Sequence, residues 1–386
     1  IDIHGAKRDV TWTMLDTTAQ AGDSSFTLMK EVDWQVGEEL VISPTGRSRD
    51  EVEERTISAV STSGGRTTIT LDQPLSHSHY AGTLEFNGVS TDIRGEVGLL
   101  TRIAVVHGFA ISVRDMYGSH IMLRGKEGQV VGRFSYFETR HAGQAFQMGR
   151  YPIHFHMIGN VIGSYVEGCS VHHTFNRATT IHGVHYLHIK NNVYYRHMGH
   201  AIFVEDSIES NNVVEDNLVI HISPSTALLA SDLKPAGAWI TRPKNFFRRN
   251  HIVGSTHFRF WYDLPNNPPG PSATSSICPV GEPLGQFDHN VGHSSGIGLR
   301  VYPQYFPRTN PCGAIRDDSL DDPFRVNEPV PAIFKHNVMY NNGNGIFHRN
   351  IGAIQHIDLR LFGNGTAIVI SEPDRARDTE PRIESA

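Results

Sequence analysis

The sequence predicts an all-β protein, a right-handed parallel β-helix (solenoid) with a small N-terminal β module. Three observations favour this fold. A phrase built on Asn returns at intervals, a second series of short strand-like runs accompanies it, and apolar residues alternate with polar ones between Gly, Asn or His. Units of this size cannot bury their own faces alone, so the repeats indicate stacked coils.

The recurring Asn residues supply a physical reason for the repeat. They are Asn192, Asn217, Asn250, Asn290 and Asn337. Asn tolerates the left-handed backbone conformation at a bend, and its amide can bond to the Asn of the coil above. Later intervals are longer because Pro-rich loops are inserted between strands. The alternative, that Asn is only a common loop residue, does not explain why a strand-like run precedes each of the five.

The chain divides into three predicted parts. Residues 1–90 form a β-rich N-terminal module, because strand-like runs there are separated by Gly, Asp and Ser. Residues 91–371 form the β-helix, with long Pro-rich loops at 263–285 and 302–331 that serve as lids or walls, or cap one flank. Residues 372–386 are a charged tail that we expect to be poorly ordered.

Length and charge limit the classes of function. A chain of 386 residues with 39% hydrophobic residues can bury one long core. The formal net charge of −6 argues against a nucleic-acid partner. No run of about eighteen apolar residues is present to span a membrane, and no signal peptide opens the chain. We therefore expect a mature or trimmed piece, which can be part of a larger surface protein; the oligomeric state stays open.

The three cysteines are expected to have different roles. Cys169 lies in an apolar strand pattern and is predicted to be buried and free, which argues against a thiol nucleophile. Cys278 and Cys312 lie in the two long loops and are predicted to pair, as suits a secreted protein.

The strand IHFHM opens a histidine-rich stretch that is the candidate site. Because side chains alternate along a strand, Ile153, Phe155 and Met157 are expected to share one face. His154 and His156 then share the other face and point the same way, away from the apolar side.

A metal site is one interpretation of these histidines. His182 is followed one coil later by Glu205, and if both lie in one outward column with His156, they form a His/His/carboxylate set. His154, His156 and His182 are the predicted ligands of a divalent ion, and nitrogen donors favour zinc or another transition metal over calcium. In the alternative interpretation the imidazoles only cap strands and bond to the backbone.

The same face can also be read as a glycosidase site. That chemistry needs one carboxyl group to donate a proton and another to act as base or nucleophile. Glu205 and Asp206 are adjacent, so a regular strand sends them to opposite faces, and they can act together only if the strand ends there. Otherwise Glu138 of another coil is the partner, or His182 or His200 serves as acid or base.

Five residues are predicted to contact a substrate. They are Arg140, His141, Arg150, Arg177 and Trp261. The arginines can hold the carboxylates of an acidic sugar polymer by bidentate contacts, and the indole offers a face for sugar stacking. In the alternative, each arginine ties down a loop through backbone carbonyls.

Several blocks of the sequence resemble the family that contains the fibrocystin-like proteins and the cell-migration-inducing hyaluronan-binding proteins. In order along nearly the whole chain, they include VDWQVGEELVIS (32–43), YPIHFH (151–156), HHTFNRATTIHG (172–183), GHAIFVED (199–206) and FWYDLPNNPPGPS (260–272). The resemblance implies an eight-glycine module followed by parallel β-helix repeats. The first and last of these blocks look closer to the fibrocystin-like side.

The resemblance implies two different functions. The hyaluronan-binding branch is associated with depolymerising hyaluronan outside the cell, whereas the fibrocystin-like branch consists of very large surface or ciliary proteins. The leading hypothesis is an extracellular carbohydrate-active β-helix that binds an acidic glycosaminoglycan such as hyaluronan, with hydrolysis as its enzymatic half. The alternatives are a non-enzymatic surface or matrix adhesion protein, and a metal-binding protein without turnover.

Overall fold

The chain is built almost entirely from short strands, because apolar and polar residues alternate in runs too brief for helices. The computed structural model describes residues 1–225, 230–313, 327–371 and 382–384. The α-helix in these ranges is Ala110–Asp115, and short 3-10 turns lie at Arg49–Glu51, Ala230–Leu233, Gly270–Ser272 and Pro279–Gly281. Among the described residues, no helix has the length and apolar character needed to cross a membrane.

The strands are numbered in chain order. The first eleven are β1 (Asp2–His4), β2 (Trp12–Met14), β3 (Ser25–Leu28), β4 (Glu39–Ile42), β5 (Glu53–Ser63), β6 (Arg66–Leu71), β7 (Thr83–Phe86), β8 (Val89–Asp92), β9 (Glu96–Leu99), β10 (Ala104–His107) and β11 (Ile121–Arg124). The next twelve are β12 (Arg133–Ser135), β13 (Phe137–Arg140), β14 (Ile153–Asn160), β15 (Tyr165–Glu167), β16 (Ser170–Thr174), β17 (Thr179–His185), β18 (His188–Lys190), β19 (Val193–Met198), β20 (Ile202–Val204), β21 (Val213–Glu215), β22 (Leu218–Ser223) and β23 (Ala236–Ile240). The remaining strands are β24 (Phe246–Arg248), β25 (His251–Ser255), β26 (Phe258–Tyr262), β27 (Gln286–Asp288), β28 (Val291–Val301), β29 (Ala332–Lys335), β30 (Val338–Arg349), β31 (Ile354–Ile357), β32 (Arg360–Phe362), β33 (Thr366–Ser371) and β34 (Arg382–Glu384).

Three parallel faces confirm the predicted right-handed parallel β-helix. The first face stacks β1, β12, β15, β18, β21, β24, β27, β29, β31 and β34. The second face stacks β10, β13, β16, β19, β22 and β25, and the third stacks β11, β14, β17, β20, β23 and β26. The long strands β28 and β30 turn the corner and belong to both of these faces. Each coil therefore contributes one strand to each face, as in β15, β16 and β17.

The interior is a continuous stack of aliphatic and aromatic side chains. Phe155 and Ile181, from consecutive coils, pair in register, and both are fully buried. Burying such side chains stabilises each coil only when a neighbour covers it, which is why the repeats form a single core.

The predicted Asn ladder is present along one corner. Asn192 Nδ2 donates to Asn217 Oδ1 at 2.9 Å, and Asn217 Nδ2 donates to Asn250 Oδ1 at 2.9 Å. The ladder Asn was expected to adopt the left-handed conformation, and this prediction was wrong. The left-handed residue is the one just before the ladder Asn. Asp216, for example, has φ +56°.

The N-terminal module differs from the predicted bounds. Its antiparallel sheet has the order β2-β9-β4-β5-β6-β3, so β9 extends the module beyond residue 90. The first strand, β1, pairs in parallel with β12 and belongs to the β-helix instead. The module packs Val41 and Leu100 against Val193 and Leu218 on the outside of the second face.

A buried carboxylate also joins the module to the β-helix. Glu96 lies 2.6 Å from His251 Nδ1 and 3.2 Å from His293 Nε2, and its other neighbour is the Ser43 hydroxyl, which donates at 2.6 Å. Burial opposes ionisation of Glu96, but the two histidines outweigh it and hold its pKa far below the usual range.

The cysteines lie as predicted. Cys278 and Cys312 form a disulfide that joins the loops 263–285 and 302–331, and Cys169 is free and buried. Burial raises the pKa of Cys169 to about 12, which disfavours the reactive thiolate. Residues 314–326 of the second loop lie outside the described residues.

Most of the predicted tail, 372–386, also lies outside the described residues. The strand β34 within it pairs with β31 and adds a rung to the first face, which the sequence pattern did not indicate.

Candidate functional site

Three histidines meet on the outside of the third face. His156 of β14 pairs in register with His182 of β17, so their side chains leave adjacent coils in the same direction. His156 Nδ1 lies 3.1 Å from His182 Nδ1, and His154 Nε2 lies 3.4 Å from the same atom. The predicted convergence of His154, His156 and His182 is therefore present in the structure.

Two hydrogen bonds on the far side of the rings fix which nitrogens face one another. His154 Nδ1 lies 2.9 Å from the carbonyl oxygen of Gly149, which can only accept, so this nitrogen carries the proton. In the same way His182 Nε2 donates to Asp206 Oδ2 at 2.9 Å. In the neutral rings, His154 Nε2 and His182 Nδ1 are then acceptors, and they lie 3.4 Å apart.

Glu205 completes the cluster. Strand β20 ends at Val204, so the condition for Glu205 and Asp206 to act together is met, and both carboxylates approach His182. Glu205 Oε2 lies 3.2 Å from His182 Nδ1. That oxygen is buried and has no hydrogen-bond partner among the described residues. A buried carboxylate oxygen needs a donor or a cation beside it, and the His182 ring lies beside this one.

The environments of these groups shift their pKa values in different directions. Burial lowers the pKa of His154 to about 3 and raises the pKa of Glu205. Burial also opposes the charged form of His182, but Asp206 and Glu205 outweigh it and raise the pKa of His182. For Asp206, burial is outweighed by hydrogen bonds from His182 and Ser272, so its pKa is lowered.

Arg177 lies behind Glu205 and is not available to a substrate, in contrast to its predicted role. Its guanidinium is fully buried and makes two hydrogen bonds to Asp232, at 3.0 and 2.6 Å, and one to the Tyr151 hydroxyl at 3.0 Å. Its Nη1 is 4.0 Å from Glu205 Oε1. The charge of Arg177 therefore acts on Glu205 from within the protein.

Glu209, which the sequence did not single out, holds the turn after β20. Its Oε1 accepts from the backbone N–H groups of Gly183 at 2.7 Å and Asp206 at 3.0 Å. Gly183 has φ +58°, and a Cβ there would lie 2.7 Å from Met157 Sδ. The close approach of the two coils and the left-handed backbone beside His182 therefore favour glycine.

Part of the loop 263–285 forms a wall of the site, as its length indicated. The Ser272 hydroxyl donates to Asp206 Oδ2 at 2.7 Å and lies 3.8 Å from Met157 Sδ. Met157 was expected to share the core face with Ile153 and Phe155, but it does not lie in the core. Its φ of +53° breaks the alternation of the strand, and its side chain faces outward under the loop.

Two more predicted residues are buried in the fold. His200 is fully buried, accepts from the Ala236 N–H at 3.0 Å and stacks on Trp239, so it has no access to substrate as an acid or base. Trp261 is 93% buried and donates to the Tyr302 carbonyl at 3.3 Å, so its indole offers little face to a sugar. Burial also lowers the pKa of His200 to about 3.

Arg140 and His141 belong to a different surface. Arg140 ends β13 on the second face, where it lies 3.3 Å from Glu138 and 3.6 Å from Glu39 of the N-terminal module. His141 stacks on Phe175 with a ring separation of 6.2 Å. The sequence analysis grouped both residues with His154 and His156, which follow closely in the chain. The loop after β13 leads from the second face to the third, so the two pairs of residues lie on different faces.

The predicted substrate contact of Arg150 stays a prediction. It is exposed, and it follows Gly149, whose carbonyl accepts from His154. Its Nη1 lies 3.3 Å from His120 Nε2, and no carboxylate of the described residues pairs with it.

Fold and site together define the class of protein: a parallel β-helix with a cluster of histidines and carboxylates on one outer face. This histidine–carboxylate centre consists of His154, His156, His182, Glu205 and Asp206. Residues 116–299 match the family model described as the CEMIP β-helix. Fibrocystin-L of Mus musculus is 37% identical over 95% of this chain, and fibrocystin-L of Homo sapiens is 36% identical over 94%. The human cell surface hyaluronidase CEMIP2 is 30% identical over 68% of the chain.

The chain therefore belongs to the family of proteins with a CEMIP β-helix, alongside fibrocystin-L and CEMIP2. It spans 9% of the length of fibrocystin-L and 22% of CEMIP2. Among solved structures, one described as a glycoside hydrolase covers all of this chain and 75% of its own, at a TM-score of 0.32 and 8% identity. A similarity that low carries no functional argument.

Proposed function

We propose that this chain is an extracellular carbohydrate-active β-helix that binds an acidic glycosaminoglycan, with hyaluronan as the first candidate, and hydrolyses it at the histidine–carboxylate centre. One observation supports this proposal above the others. The imidazole nitrogens of His154, His156 and His182 lie close enough together to bind one cation. Glu205 Oε2, which has no hydrogen-bond partner among the described residues, lies 3.2 Å from His182 Nδ1. The relative CEMIP2 is named a cell surface hyaluronidase, and the Cys278–Cys312 disulfide suits an oxidising compartment.

The donor set fits a divalent transition metal held by His154, His156 and His182. Ligands about 2.0–2.1 Å from a tetrahedral zinc ion are separated by about 3.3 Å. Here His182 Nδ1 lies 3.1 Å from His156 Nδ1, 3.4 Å from His154 Nε2 and 3.2 Å from Glu205 Oε2. Asp206 and the Gly149 carbonyl hold the outer ring protons, as partners of metal-binding histidines commonly do.

The chain's own residues prepare the site for a substrate. When bound, such an ion supplies Lewis acidity to an oxygen atom near it. Asp206 keeps the proton on His182 Nε2, the charge of Arg177 acts on Glu205 from behind, and the loop around Ser272 shields one side from water. Arg150 is exposed and follows Gly149, whose carbonyl accepts from His154, and its guanidinium can contact a sugar carboxylate.

Cleavage of long-chain hyaluronan by the purified chain tests this proposal. The wild-type chain, the chain treated with a chelator, and the chelated chain after zinc is restored are compared by the size of the products. His182→Ala removes the shared ligand. His188→Ala is the matched control, because it lies on the first face and its partner Glu215 keeps Arg248 and Arg249.

Each outcome distinguishes the functions. Shortening that is lost with chelator and in His182→Ala, but kept in His188→Ala, supports a metal-dependent hydrolase. Absence of shortening in every sample contradicts the enzymatic half. If zinc still binds, the chain is a metal-binding protein without turnover. If neither zinc nor polymer binds, a non-enzymatic adhesion role of the fibrocystin-like type is favoured, as the 37% identity to fibrocystin-L also allows.

A further inference from the structure

An arginine stands among aromatic rings on the same outer face, farther along the solenoid. Arg300 of β28 pairs in register with Trp261 of the preceding coil and with Phe347 of the following coil. Its neighbours Leu299 and Val301 are buried in the core, so its side chain points outward. Its guanidinium carbon lies 4.7 Å from the Trp261 ring and 4.2 Å from the Tyr302 ring.

Arg300 has no carboxylate partner among the described residues. Its Nε is buried and makes no hydrogen bond. The Asp263 carboxyl is near enough for its charge to act on Arg300 but forms no salt bridge with it. It accepts from Trp239 Nε1 at 3.2 Å, and burial raises its pKa to about 6. Arg349 of the next coil also has no carboxylate partner in the described chain, and its Nη1 lies 3.4 Å from the Tyr302 hydroxyl.

Other arginines of the β-helix show the contrast. Arg177 makes two hydrogen bonds to Asp232, Arg242 makes two to Glu282, and Arg249 makes two to Asp216. These three arginines have fitted carboxylates, and the fully buried Arg259 donates instead to the carbonyls of His293 and Ser255 and to Asn342 Oδ1, so the fold gives each of them acceptors. Arg300 has neither kind of acceptor among the described residues. Leaving two neighbouring guanidinium groups without a carboxylate, around a half-exposed tyrosine ring, indicates a surface that receives its carboxylate from outside.

The position of this surface connects it to the histidine centre. Both lie on the outside of the third face, and four coil steps separate His182 from Arg300, which is about 19 Å at about 4.8 Å a step. Register pairs run from Phe203 through Trp239 and Trp261 to Arg300. A polymer that reaches both places lies along the solenoid axis, across the coils.

We propose that Arg300, Arg349 and Tyr302 form a subsite for a carboxylate-bearing sugar unit, a uronate, of the polymer. This inference rests on the proposed function, since it locates a distant part of the same substrate. The planar guanidinium of Arg300 holds the carboxylate, Arg349 adds a second charge, and the Tyr302 ring offers a face to the sugar. The uronate subsite gives the protein its preference for an acidic polymer over a neutral one.

Binding to the chelated protein tests the uronate subsite without turnover. The probes are a hyaluronan oligosaccharide long enough to span about 19 Å and the same oligosaccharide with its carboxyl groups reduced to alcohols, titrated by calorimetry. The variants are Arg300→Gln and the double variant with Arg349→Gln. Arg114→Gln is the matched control, because it removes an exposed arginine of the short helix that pairs only with Asp115.

The wild-type chain and Arg114→Gln are expected to bind the acidic oligosaccharide equally. Arg300→Gln is expected to bind it about tenfold more weakly, because one charged hydrogen-bonding group is lost. The double variant is expected to bind it more weakly still. The reduced oligosaccharide is expected to bind all four proteins alike. Equal binding of the acidic oligosaccharide by wild type and the double variant overturns the subsite.

The two proposals fail separately. Binding that depends on Arg300, with no cleavage by the metal-loaded chain, contradicts hydrolysis and leaves the uronate subsite standing. Cleavage that depends on His182, with binding indifferent to Arg300 and Arg349, overturns the subsite alone. Failure of wild type to bind the acidic oligosaccharide also overturns the subsite.

Discussion

His182 donates its Nε2 proton to Asp206 at 2.9 Å, and this bond leaves the other ring nitrogen bare toward the centre of the cluster. The two residues come from consecutive coils, so the stacking of β17 on β20 brings them together. In the proposed metal site, the orientation of His182 therefore depends on an aspartate that is not itself one of the three predicted ligands.

Asp206→Asn is expected to weaken zinc binding by about 10–100-fold, because the amide no longer fixes the ring and its proton as the carboxylate does. Zinc affinity measured by competition with a chromophoric chelator checks this. Asp115→Asn is a suitable control, since Asp115 lies on the exposed short helix, where it pairs with Arg114. Unchanged affinity in Asp206→Asn shows that the hydrogen bond has no role in metal binding.

Acid is expected to weaken metal binding. Ligation needs neutral imidazoles, and although burial favours the neutral ring of His182, Asp206 and Glu205 raise its pKa. Protons therefore compete with the ion as the pH falls, and we expect zinc affinity to drop below about pH 6. Calorimetry on both sides of this pH measures the effect, and an affinity independent of pH contradicts it.

Glu96→Gln is expected to lower the free energy of unfolding by about 1–3 kcal/mol, because His251 and His293 lose their shared carboxylate. The pKa of Glu96 is lowered in the folded chain. Its stabilising contribution is therefore complete above the ordinary glutamate pKa of about 4.3 and is lost as the pH falls toward the lowered folded value. Thermal unfolding at neutral and acidic pH checks both the size and the sign, and a variant as stable as wild type at neutral pH refutes the account.

Asn217→Ala is expected to cost about 2–4 kcal/mol of the free energy of unfolding, because Asn192 and Asn250 lose their ladder partner in a fully buried corner. Chemical denaturation measures the loss. Asn160→Ala, at an exposed position, is the control and should change stability by less than about 0.5 kcal/mol. Equal effects of the two substitutions would show that the ladder does not hold the coils together.

The spacing of residues along the sequence was enough to predict the features that depend on the repeat period and on strand register. The Asn ladder, the buried Cys169 and the convergence of His156 with His182 follow from residues that recur at one place in each coil. Such features need only the spacing of the repeat, which is visible in the sequence.

Features that depend on loops and on long-range contacts were not predicted. Arg177 is neutralised by Asp232 from a later coil, and Ser272 reaches Asp206 from a loop, so neither contact has a sequence signature. Met157 left the core because one left-handed residue breaks the alternation of its strand. The antiparallel pairing of β9 was hidden because a short apolar strand looks the same in a module and in a coil.

Metal content is the most direct test of the histidine–carboxylate centre. Elemental analysis of the chain purified without chelator, or reconstituted with zinc and desalted, is expected to give about one transition-metal ion per chain. His182→Ala should lose that ion and His188→Ala should keep it. A wild-type chain that holds no ion after reconstitution, or a His182→Ala chain that holds as much as wild type, contradicts the proposed centre.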